Sequence, residues 1–82
     1  GDAIESTLGQ QIEICRSYLQ LMRLRLADRL SFDIILPPAD ATWPCLPLLL
    51  ITLVENAVKH GIEPKRGPGH IRICVEREPS GT

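Results

Sequence analysis

An uncharged apolar run leads directly into a dense polar group near the middle of this chain. Residues 46–54 carry no charge, and Glu55, Asn56, Lys59 and His60 follow within six positions. Apolar residues at helical spacing are typical of a helix that packs on a core. We therefore predict a helix here, and its last two turns carry more polar chemistry than a core helix needs.

The polar residues share one side of this predicted helix. At about 100° per residue, Thr52 and the four polar residues fall within an arc of roughly 140°. The apolar residues expected to face the core lie on the opposite side: Leu46, Leu50, Leu53, Val54, Ala57 and Val58.

The polar side has the chemistry of a site for a metal ion and a phosphate. The amide oxygen of Asn56 can bind magnesium, which prefers oxygen ligands and keeps waters and substrate phosphates around it. Lys59 can neutralise phosphate charge. Glu55 can orient a water or accept a proton, and His60 can donate to phosphate or pack against a nucleotide.

A structural alternative explains the same residues without a ligand. Glu55 and Lys59 have the i,i+4 spacing of an ordinary surface ion pair. His60 followed by Gly61 is a common end of a helix. Spacing alone leaves both interpretations open.

Residues 47–64, PLLLITLVENAVKHGIEP, resemble the N-box of LytS-like sensor histidine kinases. These kinases share an ATPase superfamily with gyrase, heat-shock chaperones and mismatch-repair proteins. Upstream, the stretches that begin at Thr7, Tyr18 and Arg25 are similar to the group's T-L-x-E-E-L, Y-L and R-F-x-D-R-L patterns. The chain departs from the group at Ile51 and Thr52, where Gln-Pro is usual.

The resemblance implies roles for individual residues. Asn56 would bind Mg²⁺, Glu55 would be the acidic catalytic partner beside it, and Lys59 and His60 would contact the phosphates of ATP. The parent protein would be an ATP-dependent protein histidine kinase that phosphorylates its own histidine and passes the phosphoryl group to a cognate response regulator. Neither His60 nor His70 lies in the sequence context of the acceptor, and the downstream Asp-x-Gly-x-Gly box is not present. This chain alone is therefore expected to be inactive.

The resemblance also implies a domain organisation. Residues 1–30 would be the C-terminal helix of the dimerisation and phosphotransfer region. Residues 31–82 would be the N-terminal half of the ATP-binding domain, which is incomplete. The parent would be a membrane-anchored bacterial protein, with this portion in the cytoplasm. We expect a homodimer through residues 8–30. The alternatives are a non-catalytic dimerisation or signal-relay module and another ATPase of the same superfamily.

The rest of the pattern predicts an α+β fold in the order helix, strand, helix, strand, and the resemblance implies that these elements are part of a histidine-kinase-type (Bergerat) sandwich. The first helix should span residues 8–30, with Thr7 and Gln10 as a capping box. Its seam residues, spaced as in a helical bundle, are Leu8, Ile12, Cys15, Leu19, Met22 and Leu26, and Ile14, Tyr18 and Leu21 flank them. Alternation predicts strands at residues 31–36 and 70–77. Pro47 suits the first turn of the second helix.

Arginines decorate the first helix, and two of them lie near its end. Arg25 and Arg29 belong to a run that is usually a solvated helix face. The narrower hypothesis is that one of them contacts nucleotide phosphate or anchors the following domain.

Composition limits the partners. A net charge of −1 gives no electrostatic footprint for nucleic acid or an anionic membrane, so we expect no contact with either. The three cysteines have no metal-ligand spacing, and core packing is expected for them. The sequence opens Gly-Asp-Ala without an initiating methionine, so we expect a piece excised from a longer protein.

Overall fold

The computed structural model of the protein describes residues 6–64 and 66–76. Helices and strands alternate along the chain: α1 (Leu8–Leu26), β1 (Leu30–Ile35), α2 (Leu49–Ala57) and β2 (Gly69–Cys74). Short 3₁₀ turns lie at Ala27–Arg29 and Pro38–Asp40, and a π-helical turn at Val58–Ile62 continues α2. The predicted α+β class and the predicted order of elements are therefore confirmed.

Helix α1 begins as predicted and ends earlier than predicted. The Thr7 hydroxyl accepts a hydrogen bond from the Gln10 amide at 3.2 Å, and the Gln10 side chain accepts one from the Thr7 amide at 2.9 Å. This reciprocal capping box satisfies two amides that a helix start leaves without partners. The helix stops because Ala27 adopts φ 53° and ψ −128°, a conformation that cannot continue a helix. Leu30, the predicted last helical residue, is the first residue of β1.

The two strands pair in parallel. Leu30 lies opposite Gly69 and Ile35 lies opposite Cys74, with no slip in register between them. A parallel pair needs a long crossover, which α2 and its flanking turns supply. Each strand is shifted by one residue from its prediction at its start, and the predicted end at Arg77 lies outside the described residues.

The core lies between α1, the π turn and one face of the sheet. Its fully buried side chains are Ile12, Cys15, Leu19, Leu30 and Val58. Three of these belong to the predicted bundle seam of α1, so the seam packs inside the chain and is not free to meet a second copy. The outward side of α1 carries a second apolar stripe, in which Leu21 and Leu24 are 65% and 82% exposed.

The predicted inner face of α2 is only partly correct. Val54 and Val58 are buried and Leu50 is half-buried. Leu46 and Leu53, however, are 70% and 58% exposed. Ala57 is also exposed. One helix and a two-stranded sheet can cover a single i,i+4 row of α2, whereas the apolar arc of the sequence is wider than that row.

The cysteines differ in how far they are buried. Cys15 is buried as predicted, and burial raises the pKa of its thiol. Cys74 is exposed, which contradicts the prediction of core packing. The reason is alternation along β2, since Ile73 faces the core and its neighbour must therefore face outward. None of the helices in the described residues has the length and apolar character that crossing a membrane requires.

Candidate functional site

The outward side of α2 and of the π turn brings together the polar residues singled out in the sequence. Glu55 and Asn56 lie on the last turn of α2, and Lys59 and His60 lie on the π turn that continues it. All four side chains are exposed, as is Thr52 one turn earlier. We call this surface, from Thr52 to His60, the polar face. The structure thus places the predicted residues together, and their individual roles remain predictions.

The hydroxyl of Thr52 is already engaged within the helix. It donates to the carbonyl oxygen of Leu48 at 2.6 Å, a bond from a side chain to the preceding turn of the same helix. Thr52 therefore adds an exposed methyl group and an occupied hydroxyl to the polar face.

The other polar side chains are not tied to one another. Glu55 and Lys59 have the spacing of an ion pair, yet no ion pair joins them. Among residues 6–64 and 66–76, no hydrogen bond holds the side-chain amide of Asn56 or the imidazole of His60. The structural alternative of a simple surface pair is therefore not realised, and these groups are available to a ligand.

The end of the helix differs from a simple stop at Gly61. The Glu63 amide donates to the Val58 carbonyl at 2.9 Å, which closes a π turn over Val58–Ile62. Val58 and Ile62 are buried and fix the inner side of this turn. A Cβ atom at Gly61 would meet no atom within 4 Å, so neither space nor helix termination requires glycine there. Single π turns are frequent at functional sites.

Two arginines contact this end of the helix, and a tyrosine of α1 is influenced by its charges. Burial, and then the negative charges of Glu55 and Glu63, raise the pKa of the Tyr18 phenol. Arg25 Nη1 lies 3.9 Å from Glu63 Oε1. Arg29 Nη2 donates to the main-chain carbonyls of Ile62 and Glu63. Of the two hypotheses for the arginines, anchoring is the one with contacts in the structure.

A second polar cluster lies on the outer face of the sheet. Arg72 donates from Nε and Nη2 to the two carboxylate oxygens of Asp33, each at 3.1 Å. His70 Nε2 lies 3.5 Å from Asp33, and its Nδ1 shares a 2.7 Å hydrogen bond with the Ser31 hydroxyl. The hydrogen bond from Arg72 is the main reason that the pKa of Asp33 is lowered, with a further contribution from His70. These are cross-strand pairs, and His70 is exposed.

The described surface also contains an open depression at the start of α1. It is lined by Ser6, Thr7, Gln10, Thr42, Pro44, Cys45 and Leu46. None of these residues belongs to the polar face. The depression therefore does not enlarge the candidate site.

Sequence reasoning missed the neighbours that hold the polar face in place. Glu63 meets Arg25 and Arg29 at the end of the π turn, a contact that the sequence pattern did not predict. Tyr18 was read as a flanking apolar residue, and its phenol lies near Glu55. The only available signal was the shared spacing of Tyr18, Arg25 and Arg29, which are 7 and 4 residues apart and so fall on one side of a helix. No described group of three or more His, Cys, Asp or Glu side chains is placed to hold a metal ion.

Comparison with known proteins identifies relatives for most of the chain. It is 33% identical over 72 residues to the sensor histidine kinase BtsS of Escherichia coli (strain K12), covering 88% of this chain and 13% of BtsS. It is 38% identical over 61 residues to the sensor histidine kinase YpdA of the same strain, covering 73% and 10%. It is 36% identical over 75 residues to the uncharacterized protein YwpD of Bacillus subtilis (strain 168), covering 89% and 26%.

These similarities relate the chain to the sensor histidine kinases. The chain spans about a quarter or less of the length of each of these relatives. No protein-family model matches the chain, and no solved structure matches it.

Proposed function

We propose that this chain is the N-box region of a LytS-like sensor histidine kinase and that its polar face binds Mg²⁺ and ATP. The single observation that carries the proposal is the state of Asn56. Its amide is exposed on a helix whose inner side is buried, and no described residue occupies it by a hydrogen bond. A carboxamide in that position is free to bind a divalent cation.

The residues present fit a nucleotide with its metal. Bound Mg-ATP would supply the phosphoryl group and the positive charge that offsets the phosphates. Asn56 offers one oxygen ligand, and the absence of a described carboxylate cluster is compatible with Mg²⁺ because this ion commonly keeps water and phosphate oxygens as its other ligands. Lys59 would bind phosphate as a point charge, and His60 would donate to phosphate or pack on the nucleotide.

Glu55 has a different part in the proposal. Its carboxylate is exposed beside Asn56 and near Tyr18. It would orient water or accept a proton next to the bound metal, which is the acidic catalytic role that the resemblance implies. The acceptor histidine, the response regulator and the membrane anchor of a bacterial two-component kinase would belong to the parent protein.

The dimer belongs to the same proposal, with a revised surface. The seam first considered for it is buried in this chain, whereas Ile14, Leu21 and Leu24 are exposed along the other side of α1. We propose that a second copy packs on this outer stripe. The same stripe favours the alternative of a dimerisation or signal-relay module, in which Asn56 would have no affinity for nucleotide.

Nucleotide titration separates these possibilities. We expect a fluorescent ATP analogue to bind the chain in the presence of magnesium, and Asn56→Ala to weaken binding by at least about tenfold, or about 1.4 kcal/mol. Gln20→Ala is the matched control because it removes an exposed amide from α1, and it should leave affinity unchanged. Equal affinity of wild type and Asn56→Ala, or binding that ignores removal of magnesium, would contradict the proposal.

A further inference from the structure

Arg29 joins two parts of the chain that are far apart in sequence. It is the last residue of the 3₁₀ turn between α1 and β1. Its Nη2 atom donates to the carbonyl oxygen of Ile62 at 2.8 Å and to that of Glu63 at 3.3 Å. These carbonyls lie at the end of the π turn, where a helix leaves its last carbonyls without partners and has the negative end of its dipole. One guanidinium therefore satisfies two main-chain acceptors and places a positive charge where the helix end favours one.

The environment of this contact is partly buried. Both hydrogen bonds are shielded from solvent in part, and the Nε atom of Arg29 has no exposed surface and no hydrogen-bond partner among the described residues. A buried donor without a partner lowers stability, so the guanidinium gives up part of the stabilisation that its two bonds provide. The contact nevertheless fixes the distance between the end of α1 and the end of the π turn.

Neighbouring residues of α1 reach the same end of the helix. Arg25 lies one turn before Arg29 and pairs with the Glu63 carboxylate at 3.9 Å, although its side chain is mostly exposed. Such an exposed pair is weak. Tyr18 lies two turns before Arg25, and burial, followed by the negative charges of Glu55 and Glu63, raises the pKa of its phenol. Arg29 therefore makes the stronger of the two arginine contacts at the end of the π turn.

The contact acts on the turn that presents two residues of the polar face. Lys59 and His60 lie between buried Val58 and buried Ile62, whose carbonyl Arg29 holds. The π turn itself closes through the Glu63 amide and the Val58 carbonyl. The inner side of the turn is thus packed and its end is held, so both constrain the turn that carries Lys59 and His60.

We propose that Arg29 is a positioning residue that fixes the π turn and thereby the directions of Lys59 and His60. What those two side chains bind rests on the proposed function. Because Arg29 ends the 3₁₀ turn that follows α1, a displacement of the end of α1 is passed through this turn to the π turn. The candidate site thus takes its geometry from the helix that precedes the sheet.

Amide hydrogen exchange on the 82-residue chain tests this proposal. In Arg29→Met, exchange of the Glu63 amide, which closes the π turn, should accelerate by about tenfold or more. The Leu19 amide, at a fully buried residue in the middle of α1, reports overall stability and should change by less than about threefold. Equal acceleration at both amides, or none at Glu63, would overturn the proposal, because the first would mean a general stabilising role and the second no role in the turn.

Two further variants sharpen the result. Arg16→Met removes an arginine that pairs with Glu13 on α1 itself, and it should leave exchange at Glu63 unchanged. Arg29→Lys keeps the charge and can hold one carbonyl, so exchange should fall between wild type and Arg29→Met. A Glu63 amide as fast in Arg16→Met as in Arg29→Met would attribute the effect to net charge and overturn the positioning role.

Nucleotide affinity connects the turn to the proposed function. With magnesium and the fluorescent ATP analogue, Arg29→Met should bind at least about fivefold more weakly than Arg16→Met, although Arg29 is not among the residues proposed to contact the nucleotide. Equal affinity of these two variants would overturn the claim that Arg29 directs Lys59 and His60. If wild type binds no nucleotide, the proposed function fails, and the exchange measurement still decides whether Arg29 fixes the turn.

Discussion

The two helices of this chain differ in how they use their apolar residues. Helix α1 buries Ile12, Cys15 and Leu19 in one continuous row and so carries much of the core. Helix α2 buries only Val54 within its own nine residues and leaves Leu49 and Leu53 largely exposed. Helix α1 therefore contributes more of the core, whereas most residues of α2 are exposed.

The starts of the helices show the same difference. Helix α1 begins with the capping box of Thr7 and Gln10. Helix α2 has no side-chain cap, and Leu48 before it adopts a left-handed conformation with φ 69°. Its start is held by α1, since the buried Gln11 side chain accepts a hydrogen bond from the Leu48 amide at 3.2 Å. The candidate site is thus built on the helix that depends on its neighbours.

Core truncation should give the largest contrast between the helices. Leu19→Ala in α1 removes a side chain with no exposed surface and should lower the free energy of unfolding by about 3 kcal/mol. Leu53→Ala in α2 removes a largely exposed side chain and should cost less than about 1 kcal/mol. Urea unfolding followed by circular dichroism measures both. Similar losses would mean that α2 is as well packed as α1.

Changes at the helix starts should have opposite signs. Thr7→Ala removes the cap of α1 and should destabilise the chain by about 1 kcal/mol. Leu48→Gly relieves a left-handed backbone that leucine adopts at a cost, and it should stabilise the chain by about 1 kcal/mol. Thermal or urea unfolding distinguishes the two directions. As a control, Leu46→Gly, at an exposed residue with ordinary φ, should only destabilise, and a gain there would refute the explanation by backbone strain.

The smallest expected contrast concerns two glycines, one in the π turn that follows α2 and one in α1. Gly61→Ala in the π turn should stabilise the chain by about 0.5–1 kcal/mol because alanine favours helix and its Cβ meets no atom. Gly9→Ala in α1 places a Cβ 3.0 Å from the Ala41 carbonyl oxygen, so the same gain should be cancelled or reversed. If both substitutions change the free energy of unfolding in the same direction, the space around the new Cβ atom does not determine the sign of the effect. If Gly61→Ala is more stable but binds nucleotide more weakly, the open space beside Gly61 is needed by the ligand.

Periodicity predicted the elements of this fold because it reflects which side of an element is buried. The seam of α1, the alternation in both strands and the polar face of α2 were all visible in the sequence. Cys74 shows the limit of residue-type preferences: as a cysteine it was expected in the core, while the alternation that predicted β2 required it to face outward. At this position, alternation along the strand predicted the orientation of the side chain better than the residue type did.

Features that depend on tertiary contacts were not visible. The width of the apolar arc on α2 did not reveal that a two-stranded sheet covers only one row of it, so Leu46 and Leu53 were misplaced. The bonds from Arg29 to Ile62 and Glu63 join residues more than 30 positions apart, and no local pattern predicted the π turn at which they end. The individual roles of Asn56 and its neighbours await the binding measurements above.

The placement of the aromatic residues makes this chain its own spectroscopic probe. Trp43 and Tyr18 are the sole tryptophan and tyrosine in the sequence. The Trp43 carbonyl accepts a hydrogen bond from the Leu8 amide at the first turn of α1, whereas Tyr18 lies within α1 and packs against the core. Indole emission and phenol ultraviolet absorbance can consequently follow two regions at once, without any extrinsic dye.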